Sequence, residues 1–180
     1  AIDKGLVPGA AERAVATAEV AAHFMGRTHD GGEEREVLAR ALRKGTLKIR
    51  NAAAAALRML EINDDALIDA ARHQSDEAIY ALGLFRDARV VPIALSYLGR
   101  LRDGEEVQPN EWYYLILRCI QALAFIGGPN PIDAVGQKLG HFDFRIRRDA
   151  AAALGTTKDR AAQLYLEPLE VERDGGAVLR

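Results

Sequence analysis

His23, His29, Asp30, Glu33 and Glu34 fall within twelve residues near the amino end, in the stretch HFMGRTHDGGEE. Imidazoles and carboxylates at that density are the donor types of a divalent-metal site. The spacing argues otherwise, because none of the four histidines forms an H-x-x-x-H pair that would put two ligands on one helical face, and none is followed by glutamate. Asp30 with Glu33 three residues later is also a helix N-cap and its capping-box partner, and we adopt that reading, with no metal ligands. A nucleophile is no better served. The single cysteine, Cys119, stands in YYLILRCIQALAF among apolar residues and reads as an inert buried thiol. The sequence contains no G-x-S-x-G, no glycine-rich phosphate loop ending in Lys-Ser/Thr, and no Cys pair for zinc. No catalytic residue and no cofactor are assigned.

Two groups suit recognition rather than reaction. Arg145, Arg147 and Arg148 form the densest basic cluster, but at helical spacing they point in different directions, which favours structural or solvated roles. Trp112, Tyr113 and Tyr114 follow a polar loop of about ten residues in GRLRDGEEVQPNEWYYL, residues 99–115. Aromatic residues at a helix start beside such a loop have the composition of an interface anchor, since they bury much area with few rotatable bonds. They are our candidates for contact with a protein or peptide partner. The competing arrangement folds Trp112 back over the underside of the loop and sends one tyrosine into the core.

The elements that position these residues are helical. The 180 residues are 49% apolar and 28% charged, as in a folded chain, while aromatics are only 6% and alanine is abundant, which favours closely packed helices. A net charge of -2 gives no global signal for nucleic acid or an anionic membrane, so nucleic acid is disfavoured as a partner. No apolar run reaches the ~18 residues of a membrane span. The opening AIDKG lacks the sectors of a signal peptide, and the expected setting is cytoplasmic.

One pattern recurs. LKIRNAAAAALR (47–58) and FRIRRDAAAALG (144–155) share an Ile-Arg head, an alanine run and a closing leucine. Arg50 and Arg147 each precede that leucine, Leu57 or Leu154, by seven residues. Leu82 in EAIYALGLF and Leu123 in RCIQALAFIGG fill the interval, and Phe24 in EVAAHFMG is a weaker fifth anchor. After each anchor comes a breaker and a second apolar-periodic segment, such as EEREVLARALRKG or PIDAVGQKLG. Thr46, Asn63, Ser75, Asn110 and Asn130 read as N-caps, with Pro131 at the first helical position and Pro92 in a first turn. Ten helices in five hairpins are expected, in one all-α domain over residues 1–171, with 172–180 a frayed tail or linker. Alanines allow close approach of backbones, and each leucine fills the gap between neighbours. One hairpin cannot bury its face alone, whereas a stack can.

FDFRIRRDAAAALGTTKDRAAQLYLEPL and SDEAIYALGLFRDARVVPIALSYL resemble HEAT-like repeats of the phycocyanobilin-lyase type. That resemblance implies a right-handed α-solenoid whose second helices line a concave face. Arg40, Arg43, Asp69, Arg72, Ser96, Arg100, Gln137, Gln163 and Glu167 would then project into it, basic toward the amino end. The family's Asp/Arg ladder between repeats would break mid-array, because Ser75 and Ile116 stand where Arg50 and Arg147 stand in their own repeats. The leading expectation is a non-catalytic scaffold that binds a protein or peptide, with Trp112, Tyr113, Tyr114, Arg40, Arg43, Arg72 and Arg100 as candidate contacts. The resemblance also implies a second reading, a bilin-lyase-related subunit or chromophore-protein chaperone. A third is nucleic-acid or damaged-base binding, by architectural analogy with HEAT-like DNA glycosylases.

Overall fold

The structure, a computed structural model, describes residues 32–174 except 103, 109 and 158, and side chains between 35 and 167. The segment around Phe24, with His23 and His29, lies outside the described residues. The alanine-rich runs form helices because alanine loses no side-chain entropy there, and because their small faces pack against neighbours. Among the described residues there are nine α-helices and no strand: α1 Gly32–Lys44, α2 Leu47–Met59, α3 Ala66–Arg72, α4 Asp76–Leu84, α5 Val90–Leu98, α6 Glu111–Ile126, α7 Pro129–Gly136, α8 Phe144–Thr156 and α9 Arg160–Asp174. A 3-10 turn, Gln137–Gly140, follows α7 where Gly136 ends its regular winding.

The helices contact one another alternately. α2, α4, α6 and α8 make one row, each packed on the next, and α1, α3, α5, α7 and α9 make a second. The rows join through α1–α2, α3–α4, α5–α6 and α7–α8, and also through α4–α5, α6–α7 and α8–α9. Leu57, Leu82, Leu123 and Leu154 are all buried, at equivalent depths in the first row. Gly83 shows why small residues recur there: a Cβ on it would lie 2.5 Å from Ala122 Cα, so α4 and α6 meet backbone to backbone.

Helix starts follow local side-chain chemistry. Ser75 Oγ accepts from Ala78 N–H (3.3 Å), Asn110 Oδ1 from Trp112 N–H (3.0 Å), and Asp143 Oδ1 from Arg145 N–H (2.9 Å). Thr46 occupies its cap position without a side-chain bond. Pro92 falls in the first turn of α5, where its missing N–H has no intrahelical partner to lose. Two expected caps move. Asp64 Oδ1, not Asn63, serves Ala66 N–H at the start of α3 (2.9 Å), while Asn63 donates to Asp87 Oδ2 in the next loop (3.0 Å). α7 starts at Pro129, two residues before Pro131, because Gly127 and Gly128 both take positive φ and turn the chain early.

Arg50 and Arg147 both reach main-chain carbonyls upstream in the chain. Arg50 Nε donates to Leu42 O (3.2 Å), and Arg147 Nη1 to His141 O and Phe142 O (2.8 and 2.6 Å). Each guanidinium caps carbonyls just upstream of its own helix. The expected mid-array break is bridged by other residue types. Asn51 on α2 bonds Ser75 (2.7 Å), and Arg118 on α6 bonds Glu77 on α4 (2.8 Å). Tyr113 on α6 donates to Asp149 on α8 (2.6 Å). Polar contact thus crosses every step of the first row.

Candidate functional site

The long connection between α5 and α6, residues 99–110, ends at Asn110, whose cap on Trp112 N–H fixes where the aromatic triplet leaves the loop. The three rings take three different environments. Trp112 is half-buried and meets the buried Tyr97 of α5 edge to face, with centroids 6.2 Å apart. Tyr97 is itself pinned, its hydroxyl donating toward Ala71 O and Arg72 O (3.0 and 2.9 Å) at the end of α3 and accepting from Gln74 N–H (3.3 Å). Burial raises the Tyr97 hydroxyl above the ordinary phenol range. Tyr113 is buried against α8, where burial and its bond to Asp149 raise its hydroxyl likewise. Tyr114 is 55% exposed and touches Tyr113 edge to face at 5.5 Å.

Trp112 separates two clefts. One, of about 500 Å³, is lined by Leu47, Gln74, Asn110, Glu111, Trp112 and Leu115. The other, of about 330 Å³, includes Arg100, Arg102, Glu105, Val107 and Trp112. Arg100 is exposed, and its guanidinium lies over the Tyr97 ring at 5.2 Å. Trp112 and Arg100 therefore share a wall of the same depression. The other candidate arginines line neither cleft. Arg40 is exposed on α1 and pairs loosely with Glu36 (3.6 Å). Arg43 is exposed in the last turn of α1, and Arg72, exposed at the end of α3, faces Asp69 at 3.4 Å.

Sequence reasoning missed the contact that anchors the loop. Among the described residues of 102–110, only Val107 is buried. Its N–H donates to Asp143 Oδ2 (2.9 Å), and its carbonyl accepts from Arg145 Nη2. Asp143 and Arg145 also bind each other, Nη2 to Oδ2 at 2.6 Å and Nε to Oδ1 at 3.0 Å. The Arg145 guanidinium holds the Asp143 carboxyl well below the usual carboxylate range, and it lies 5.2 Å from the Tyr113 ring centroid. Asp143 N–H donates to Nδ1 of the buried His141 (3.1 Å), which leaves the ring proton on Nε2. A solitary valine in the polar run DGEEVQPNE was the one available sequence signal.

The three arginines of the basic cluster diverge. Arg145 serves the loop, Arg147 caps carbonyls, and Arg148 binds Asp149 (2.8 Å) and the Tyr113 hydroxyl (3.3 Å). Cys119 is fully buried, and that burial pushes its thiol far above the ordinary value. Among the described residues no three His, Cys, Asp or Glu side chains come together as a metal site, and no helix is long and apolar enough to cross a membrane. Comparisons with protein-family models, with curated proteins and with solved structures found no match.

Proposed function

We propose that the chain is a protein-binding scaffold, a right-handed α-solenoid of HEAT-like hairpins that captures a protein or peptide partner in a cytoplasmic setting. Alternating contact between two helix rows supports the solenoid. Its right hand and HEAT-like character come from the resemblance of the repeats. The observation that carries the binding role is Trp112: a half-buried indole, braced from behind by Tyr97, forms the common wall of two open clefts with Arg100 alongside. A rigid aromatic with one face packed and one face available concentrates binding energy without ordering cost. Tyr114, exposed one residue on, extends that surface.

Affinity capture from the source cell with Trp112→Ala, Tyr114→Ala and a remote control, Lys138→Ala, tests the proposal. A partner retained by wild type and the control should be lost with Trp112→Ala at unchanged circular dichroism. Capture that is indifferent to Trp112→Ala removes the site.

A further inference from the structure

The anchoring of Val107 has the form of ligand recognition. A single residue gives its N–H to Asp143 Oδ2 and its carbonyl to Arg145, while its side chain alone is buried. These are the two main-chain bonds by which a receptor reads one residue of an extended peptide. The receiving pair is built in advance. Asp143 is 2% exposed and held by Arg145 and by the start of α8. Flanking loop residues Gly104, Glu105, Glu106 and Gln108 are exposed, and Gly104 takes φ 89° with nothing within 4 Å of its Cβ direction. Among the described residues of 104–108, Val107 alone is bonded to a helix.

Arg100 and Arg102 line the cleft together with Glu105 and Glu106 of the segment, and Glu105 faces Arg102 at 3.5 Å, while the Arg145 charge is paired with Asp143.

We propose that the Asp143–Arg145 pair, with the buried position that the Val107 side chain occupies, is a binding site for an extended acidic peptide carrying a β-branched aliphatic residue. Residues 104–108, Gly-Glu-Glu-Val-Gln, fill it as an internal ligand that the partner displaces. The inference rests on the protein-binding reading above and supplies the chemistry of the partner. It places the docked segment beside Trp112, so a partner that replaces the loop also reaches the indole.

The test uses the full chain with residues 104–108 replaced by Gly-Ser-Gly-Ser-Gly, and the peptide acetyl-GEEVQ-amide as probe. Trp112, the only tryptophan, reports binding by fluorescence, and calorimetry reports it independently. The replaced chain should bind the peptide with a Kd below about 1 mM. Wild type should bind about tenfold more weakly or worse, because its own segment competes. Val107→Gly in the otherwise intact chain should recover about the same tenfold. Adding Asp143→Asn to the replaced chain, or Val→Gly to the peptide, should abolish binding. Binding that ignores the peptide's valine overturns the proposal, as does a Val107→Gly chain with wild-type affinity. So does a folded replaced chain that gives neither heat nor fluorescence change at millimolar peptide. In that last case a Trp112→Ala chain that still loses its cellular partner leaves the scaffold reading standing and removes only the peptide site.

Discussion

Gly83 and Gly155 each directly follow a buried leucine, Leu82 or Leu154. By sequence, alanine at either position should act alike, gaining up to about 1 kcal/mol of helix propensity. The structure separates them. A Cβ on Gly83 would sit 2.5 Å from Ala122 Cα and 2.7 Å from Ala122 Cβ, whereas one on Gly155 has nothing within 4 Å. Carbon atoms pack at roughly 3.5–4.0 Å, so Gly83→Ala must part α4 and α6 by about 1 Å. Overpacking of that size costs about 3 kcal/mol, at the upper end of its usual range. Net of propensity, the loss is about 2 kcal/mol, and the melting temperature should fall by about 4–8 °C. Gly155→Ala, one residue from the end of α8, should gain about 0.5 kcal/mol, part of the full propensity difference. Urea unfolding followed at 222 nm on both variants decides it. Shifts of the same sign would refute the backbone contact between α4 and α6, and with it the reading of the small residues as spacers between stacked helices.

Three further outcomes are expected. Arg89 holds Asp87 down to about 2, Arg145 depresses Asp143, and the N–H groups of Gly128 and Ala161 depress Asp159. Depressed carboxylates contribute stability above their unfolded value of about 4 and lose it as pH falls through the folded value. Melting temperature should therefore drop between about pH 4 and pH 2, less steeply in Asp87→Asn; an unchanged slope in that variant would contradict the assignment. Tyr113→Phe deprives the buried Asp149 of one donor and should cost about 1–2 kcal/mol in urea unfolding. Tyr114→Phe, at an exposed ring, should stay within about 0.5 kcal/mol. Cys119 should react with a thiol reagent only as the protein unfolds, at a rate that follows unfolding in denaturant; fast labelling of native protein would contradict its burial.

The sequence made the helices visible because their signals are local. Alanine runs with a leucine at fixed distance, Ser75 and Asn110 as caps, and Pro92 in a first turn each act within a few residues. Features that depend on helices and loops distant in sequence were hidden. Asn63 reads as a cap but bonds Asp87, 24 residues on, while the buried Asp64 takes the cap. Two residues beyond the ends of α2, α3 and α4 stand residues of positive φ, Glu61, Gln74 and Arg86, each followed by a back-bond, from Ile62 to Leu57, Ser75 to Ala70 and Asp87 to Leu82. Glycine is the usual marker of that ending, and none of the three is glycine. The aromatic cluster Trp112–Tyr114 was visible in the sequence, and the burial of Tyr113 follows the competing arrangement in which one tyrosine enters the core. The loop half of the candidate site was not visible, because Val107 meets Asp143 and Arg145 across 36 and 38 residues and no periodicity reports a loop contact. Helical spacing alone showed that Arg145, Arg147 and Arg148 diverge, but the same sequence distance hid the loop that Arg145 holds.

Met59, Leu84 and Thr156 are exposed last residues of α2, α4 and α8, helices of the same row. Spin labels at Met59→Cys and Thr156→Cys, measured by pulsed dipolar spectroscopy, test the stacked rows most directly. Three steps at about 9 Å each put that pair about 27 Å apart, against about 9 Å for one step between Met59→Cys and Leu84→Cys. Spacing that grows with each intervening helix is the predicted result; a Met59–Thr156 separation no longer than the one-step pair would contradict the account.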